Sequence, residues 1–215
     1  MPFDFYHQLS RKQQRDYRKS DKIEDLPFPR KARQQIWARV DALEAALAAG
    51  KQKRLQATTA ELCLAVTQAF GVDPVRVQVK SRRPVDRDGS EYYGLTTWED
   101  GKPPLIELWM RTRAQKRVVA FKTYMRTLIH ELLHHLDYSY LGLEETFHTQ
   151  GFFKRESSLF RQLVTDRPSP PNNEERETPA SPRSQGMQPK PRTDPPRSSD
   201  RRRKRETGKQ LTLAF

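Results

Sequence analysis

Residues 127–137 read TLIHELLHHLD and lie in a stretch, about 118–140, whose apolar residues recur at helical spacing. On a helical wheel with His130 at zero and about 100° per residue, His134 lies at about 40° and Asp137 at about −20°. The apolar residues that fall on the opposite side are Phe121, Met125, Leu128, Leu132 and Leu136. The stretch therefore predicts an amphipathic helix with one apolar face and one face that bears histidines.

The pattern H-E-x-x-H is formed by His130, Glu131 and His134, and it places two imidazoles one helical turn apart. That spacing suits a tetrahedral Zn²⁺ ion, with Glu131 beside it as a base that takes a proton from water. The alternative is a chance match on an exposed helix, but four of the five histidines lie between residues 130 and 148. His135 falls about 100° from His134 on the wheel, so we expect it to point away from the metal.

A catalytic zinc site needs a third protein ligand and one open position. The candidates downstream of the helix are Glu144, Glu145 and His148, and ligand chemistry alone leaves all three open. Asp137, one turn beyond His134, is a candidate for a hydrogen bond that orients a ligand imidazole. It fits a solvated position on the helix equally well.

Residues 147–156 read FHTQGFFKRE, and together with the HExxH helix they resemble the SprT-like metalloprotease domain. In that family a third histidine follows the helix after a loop and precedes a second helix that contains an aromatic residue. His148, with Phe152 four residues later, matches this arrangement. The resemblance extends loosely over residues 30–165.

What the resemblance implies is a zincin-like metalloprotease domain that binds one Zn²⁺ ion per chain. By their place in the motif, His130, His134 and His148 would be the ligands, and Glu131 the catalytic base. Many members of the family also carry a four-cysteine zinc ribbon after this domain. A chain whose only cysteine is Cys63 cannot form that ribbon.

Around the HExxH helix, the changing period of the apolar residues predicts an α+β domain. Further helices, of which the first two form an N-terminal hairpin, are expected at residues 31–49, 57–70 and 152–164. Strands are expected at residues 75–80, 91–98 and 105–110. Turn-forming sequences such as DRDGS separate the strands, which predicts a small antiparallel meander. Residues 1–29 are mixed and charged, and we expect a poorly ordered lead-in there.

Beyond residue 165 the composition changes, because nine of the sixteen prolines lie in that part of the chain. Residues 166–209 are therefore predicted to be a disordered linker. The linker contains five consecutive cations: Arg201, Arg202, Arg203, Lys204 and Arg205. Such a run binds phosphate backbones without reading the base sequence. The alternatives are a solvated run of charge or, in a eukaryote, a nuclear import signal.

Residues 210–215 read QLTLAF and resemble the short peptide by which bacterial DNA polymerases and repair factors bind the sliding clamp. In an extended peptide, Gln210 would form hydrogen bonds, whereas Leu213 and Phe215 would enter apolar pockets, with Leu211 as part of the motif. The alternative is a strand that packs back onto the domain.

The composition limits the partners of the chain. A formal net charge of +13 over 215 residues predicts a polyanionic partner, and nucleic acid fits better than a membrane because no basic amphipathic helix with a bulky apolar face is evident. A purely solubilising role of the charge is the alternative. The single cysteine and the lack of a signal-peptide or membrane-spanning pattern predict a cytoplasmic protein.

Taken together, the resemblance and the tail predict a zinc endopeptidase that acts on proteins attached to or crosslinked on DNA. The strands at 91–98 and 105–110 are expected to offer an edge for an extended substrate. Candidates for the group that stabilises the oxyanion are Tyr138, Tyr140 and Arg155. Two other classes stay open: a non-proteolytic DNA- or clamp-binding adaptor, and a regulatory protease that cleaves one specific repressor.

Overall fold

The computed structural model describes residues 4–82, 93–113 and 116–168, and it has an α+β fold. One compact unit covers Met1–Pro170. The predicted linker beyond residue 168, the basic run at 201–205 and the clamp-like peptide at 210–215 lie outside the described residues. Within the described part of the chain, no helix combines the length and the apolar character needed to cross a membrane.

The described helices include all four that the sequence predicts, with one more before them. Their bounds are α1 Arg11–Lys22, α2 Arg30–Ala48, α3 Gln52–Phe70, α4 Phe121–Ser139 and α5 Gln150–Phe160. A short 3-10 helix, Asp4–Gln8, precedes α1, and a π-helical turn, Arg161–Thr165, continues α5. The strands are β1 Arg76–Arg82, β2 Gly94–Thr97 and β3 Leu105–Arg111.

The predicted antiparallel meander is wrong in strand order and in direction. The order is β1-β3-β2, with β3 antiparallel to β2 but parallel to β1, so the sheet is mixed. β3 lies in the centre of the sheet with a strand on each side, and it is the most buried of the three strands. The predicted turn DRDGS lies outside the described residues. Strands that run parallel, as β1 and β3 do, cannot be joined by a tight hairpin, so β2 and its connections must lie between them in the chain.

The expected poorly ordered lead-in is replaced by α1. Ser10 and Gln13 form a capping box, in which each side chain bonds to the backbone N–H of the other residue. Tyr17 and Ser20 on this helix are buried. The buried residues at 26 and 28 then join the core, so the segment is an integral part of the domain.

The helix α3 packs against α2 and β1, and the apolar face of α4 contacts α2, α3, β2 and β3, so that the three helices and the sheet share one core. The hydroxyls of Thr59 on α3 and Tyr124 on α4 share a hydrogen bond of 2.9 Å inside this core. Cys63 is completely buried there, and burial raises the pKa of its thiol to about 12. The core thus fixes α4 on its apolar side and leaves the histidine-bearing side of the helix toward α5.

The two edges of the sheet have different surroundings. On the outer side of β1, side chains of α3 replace a neighbouring strand: Gln52 Nε2–H donates to Val79 O at 2.7 Å, and Val79 N–H donates to Gln56 Oε1 at 2.6 Å. Gln56 also donates to Val77 O. On the outer side of β2, no strand pairs within the described residues. We call these the closed edge and the open edge.

Candidate metal centre

Three imidazoles converge where α4 meets the start of α5. His130 and His134 lie one turn apart on α4, and His148 lies just before Thr149, the N-cap of α5. Nε2 of His148 lies 3.0 Å from Nε2 of His130 and 3.2 Å from Nε2 of His134. In the described part of the chain this is the one group of three such side chains close enough to hold a metal ion.

The distances between the nitrogens fit a common ion. A tetrahedral ion about 2.0–2.1 Å from each nitrogen would hold its ligand atoms about 3.3–3.4 Å apart, close to the 3.0 and 3.2 Å found here. Imidazole nitrogens are also donors that Zn²⁺ and other first-row transition metals accept. The three side chains can therefore hold one metal ion after a shift of a few tenths of an ångström.

The outer ring nitrogens of the two helical histidines have partners of their own. Nδ1 of His130 lies 3.1 Å from Oε2 of Glu156, and Nδ1 of His134 lies 2.9 Å from Oγ1 of Thr146. Because a carboxylate only accepts hydrogen bonds, Nδ1 of His130 carries the proton and Nε2 keeps its lone pair for a metal. Glu156 on α5 thus orients the ring of His130.

Burial favours the neutral form of His134 and His148, which is the form of an imidazole that binds metal. Burial lowers the pKa of His134 to about 3, and the charges of His130 and His148 act in the same direction. Burial also lowers the pKa of His148, with His130 adding to the effect and Glu156 opposing it. Little competition from protons is therefore expected near neutral pH.

Asp137 does not orient a ligand histidine, so both readings of this residue are wrong. Its carboxylate is completely buried and accepts two hydrogen bonds from Arg155, at 3.1 and 2.6 Å. Arg155 also donates to the hydroxyl of Ser20 on α1. The wheel angle placed Asp137 correctly on the histidine side of α4, but α5 and α1 cover the helix one turn beyond His134.

The acidic alternatives for the third ligand are occupied elsewhere. Glu144 forms an ion pair with Lys12, and Oε1 of Glu145 accepts a hydrogen bond of 3.5 Å from Gln13. Both bonds tie the loop after α4 to α1. His148 is the candidate whose donor atom reaches the other two histidines.

Phe152 lies against the three imidazoles on α5. Its ring centroid is 5.0 Å from that of His130, 4.9 Å from that of His134 and 5.0 Å from that of His148. The side chain is fully buried. It therefore forms an apolar wall that limits how far the imidazoles can turn.

The start of α5 is fixed by α1, directly after His148. Thr149 accepts a hydrogen bond from Phe152 N–H and shares a buried hydrogen bond of 3.1 Å with Ser20. Gly151 lies so close to α1 that a Cβ on it would come within 2.3 Å of Ser20 O. A glycine is required at this contact, and the contact sets the position of the nearby His148.

Glu131 is positioned by the open edge of the sheet. The Thr96 hydroxyl can donate to Oε2 of Glu131, at an oxygen–oxygen distance of 2.7 Å, and its Oγ1 also lies 3.2 Å from the backbone oxygen of Glu131. A Cβ on Gly94 would come within 2.5 Å of Oε1 of the same carboxylate. Burial raises the pKa of Glu131, whereas the Thr96 hydrogen bond and His130 act in the opposite direction. The carboxylate is thus held in one place between β2 and the histidine cluster.

His135, the residue that follows the HExxH motif, points away from the other three histidines, as predicted. Nε2 of His135 lies 2.8 Å from Asp73 O, and its Nδ1 lies 3.3 Å from the hydroxyl of Ser139.

The three candidates for the group that stabilises the oxyanion differ in exposure. Arg155 is fully buried. Tyr138 and Tyr140 are each about half exposed.

Sequence reasoning missed four residues of this centre: Gly94, Thr96, Thr146 and Glu156. All four act across elements, so the local pattern carries no signal for them. The position of Thr149 was readable, because a threonine before an apolar run is a typical helix N-cap. That signal would have moved the predicted start of the last helix from 152 to 150.

In comparisons with models of protein families, with curated proteins and with solved structures, no match to this chain was found.

Proposed function

We propose that this protein is a zinc-dependent endopeptidase with a zincin-like, SprT-type domain. One observation carries the proposal: the Nε2 atoms of three histidines meet beside a buried glutamate that follows the first of them in the chain. Three imidazoles with a neighbouring carboxylate are the donor set and base of a hydrolytic zinc site. His130, His134 and His148 would hold the ion.

When bound, zinc would supply a Lewis acid and lower the pKa of a water molecule. Glu131 would take the proton from the attacking water and deliver it to the leaving amine. The Thr96 hydroxyl and the close approach of Gly94 leave this carboxylate little freedom to turn. Pre-organised geometry of this kind favours proton transfer, because no reorientation is needed during the reaction.

The open edge of the sheet gives a place for an extended substrate. β2 is bonded to β3 on one side only within the described residues, and Thr96 links it directly to Glu131. A peptide that pairs with β2 would add a fourth strand, and its backbone would run beside the catalytic base. Such pairing uses backbone groups, so it accepts many substrate sequences.

For the substrate class, we propose proteins bound to or crosslinked on DNA, in a cytoplasmic protein. The formal charge of +13 favours a polyanionic partner. The basic run at 201–205 would hold DNA without sequence preference, and QLTLAF at 210–215 would bind a bacterial sliding clamp. Both segments would provide location, whereas the metal centre would provide the chemistry.

The proposal is tested by a cleavage assay on casein and on a DNA-bound protein. Activity is expected to be lost after a chelator removes the metal and to return with about one equivalent of Zn²⁺ per chain. Addition of DNA is expected to speed cleavage of the DNA-bound substrate more than that of casein. Zinc and DNA binding without any cleavage would identify a binding adaptor instead, and cleavage of a single partner without DNA would identify a regulatory protease.

A further inference from the structure

A second group of charged side chains lies at the end of the sheet where β1 and β3 finish, and neither the metal centre nor the proposed chemistry uses it. We propose that this group is a contact surface for a nucleic-acid backbone, built into the folded domain and separate from the basic run in the tail. We call it the basic end. Its members are Lys51, Arg82, Arg111, Arg113, Lys116 and Arg117.

The strands bring the first two arginines together. Arg82 and Arg111 are register partners on the parallel strands β1 and β3, so their side chains leave the sheet on the same face. The chain then turns back, because Val118 bridges Arg111 and Thr112 N–H donates to Arg117 O at 2.9 Å. The segment after β3 carries three further cations, Arg113, Lys116 and Arg117.

The turn between α2 and α3 reaches the same place. A Cβ on Gly50 would lie 3.6 Å from Nη2 of Arg111 and 3.8 Å from Cγ2 of Val118. Lys51, the next residue, is exposed beside this contact. Three separate segments thus contribute cations to one end of the domain.

The charge of the basic end is not neutralised by the described residues. Among them, no carboxylate pairs with any of the six cations, and the nearby Glu107 forms its ion pair with Lys80 instead. Nη1–H of Arg111 donates to Lys116 O at 3.2 Å, which leaves its positive charge in place. Four of the six are arginines, whose planar guanidinium groups bind phosphate oxygens with two parallel hydrogen bonds.

The absence of apolar anchors favours nucleic acid over a membrane or a protein. In the described part of the chain, the exposed large apolar side chains are Phe5, Leu64, Tyr93, Leu95, Trp98, Tyr138 and Tyr140. None of them belongs to the segments that carry the six cations. Membrane surfaces and protein hot spots combine charge with bulky apolar groups, whereas a phosphate backbone needs closely spaced cations alone.

The basic end connects to the metal centre through α4. This helix begins at Phe121, just after the basic turn, and His130 lies nine residues further along. At about 1.5 Å per residue, that is about 14 Å along the helix axis. Nucleic acid bound at the basic end would therefore lie near the metal centre. The surface itself is inferred from charge and geometry, and it does not depend on the peptidase activity.

The test measures binding of labelled single-stranded and duplex oligonucleotides to the full chain by fluorescence anisotropy, over about 50–200 mM salt. All forms carry serine in place of the five cations at 201–205, so that the folded domain supplies the signal. One variant changes three exposed residues of the basic turn: Arg113→Gln, Lys116→Gln and Arg117→Gln. The control removes three exposed cations elsewhere: Lys22→Gln, Arg30→Gln and Lys31→Gln.

In the basic-turn variant, the negative slope of log K against log salt is expected to become shallower by about 2–3, because each lost phosphate contact accounts for about 0.9. The control is expected to keep the slope of the parent, and casein cleavage is expected to be the same in all forms. Equal slopes for the parent and the basic-turn variant would overturn the proposal, as would an equal loss in the control. Binding to phosphatidylserine vesicles in place of DNA, lost in the same variant, would assign the surface to a membrane and also overturn it.

Discussion

The closed and open edges of the three-stranded sheet are treated in opposite ways. At the closed edge, Gln52 and Gln56 bond to the backbone of β1 and take the place of a further strand. At the open edge, β2 has no such cover within the described residues, and its side chains and backbone instead lie against Glu131. An uncovered strand edge invites pairing with other chains. Among the described residues, the sheet edge left without a covering partner is therefore the edge beside the candidate base.

The largest effect on this comparison is expected from Gly94→Ala. The new Cβ would come within 2.5 Å of the Glu131 carboxylate and 2.7 Å of Thr127 Cγ2, so the base or the strand must move. We expect kcat/KM for peptide cleavage to fall at least about 100-fold, which corresponds to about 2.7 kcal/mol. Zinc content should stay at the parent value, as measured by elemental analysis.

Gly101→Ala is the matched control for that change. Gly101 has φ +73° and open space around its Cβ position, so alanine there strains the backbone without touching the site. It should lower the melting temperature and leave kcat/KM unchanged. If Gly94→Ala were as active as Gly101→Ala, the close packing of β2 on the base would have no catalytic role.

The closed edge is broken by Gln56→Met, which keeps the side-chain size but removes two hydrogen bonds to β1. Val79 N–H and Val77 O would lose their partners, and each buried unsatisfied group costs about 1–3 kcal/mol. We expect the free energy of unfolding in urea to fall by about 2 kcal/mol, with normal kcat/KM for the folded fraction. Gln68→Met, at an exposed position on the same helix, should leave the stability within about 0.5 kcal/mol. Equal stabilities of the two variants would contradict the role given to Gln56.

The smallest effect is expected from Thr96→Val, which removes the hydroxyl that bonds to Glu131 and keeps the shape of the side chain. A lost hydrogen bond to a charged group is worth about 1.5–3 kcal/mol, but the packing of Gly94 still restrains the carboxylate. We expect kcat/KM to fall about tenfold, with zinc content unchanged. Thr97→Val, on the same strand, should have no such effect, and a result in which both variants behave alike would remove Thr96 from the site.

The comparison of the two edges was only partly readable from the sequence. The apolar periods predicted α2 to α5 and the three strands, because each depends on neighbours in the chain. Strand order depends on contacts between distant segments, so the parallel pairing of β1 with β3 was missed. The glutamines of the closed edge were equally invisible, since nothing local distinguishes Gln56 from the exposed Gln68.

In the candidate site, too, the features set within one helix were predictable, whereas the contacts between distant segments were not. The HExxH spacing predicted His130, Glu131 and His134, because a single helix fixes their geometry. The groups that orient them come from β2, the loop after α4 and α5, and the prediction for Asp137 failed because α5 supplies a buried arginine beside it. The helix α1 differs, because its start has a local signal in the sequence: Ser10 and Gln13 have the spacing of a capping box.

The most direct test of the central claim, that Glu131 beside three histidines makes a hydrolytic metal centre, compares the parent chain with Glu131→Gln. The substitution keeps the size of the side chain and its hydrogen bond from Thr96 but removes the base. We predict that the variant binds one Zn²⁺ per chain as the parent does, while cleavage of casein and of a DNA-bound protein falls at least about 1,000-fold. Cleavage at the parent rate by a zinc-loaded Glu131→Gln chain would contradict the account.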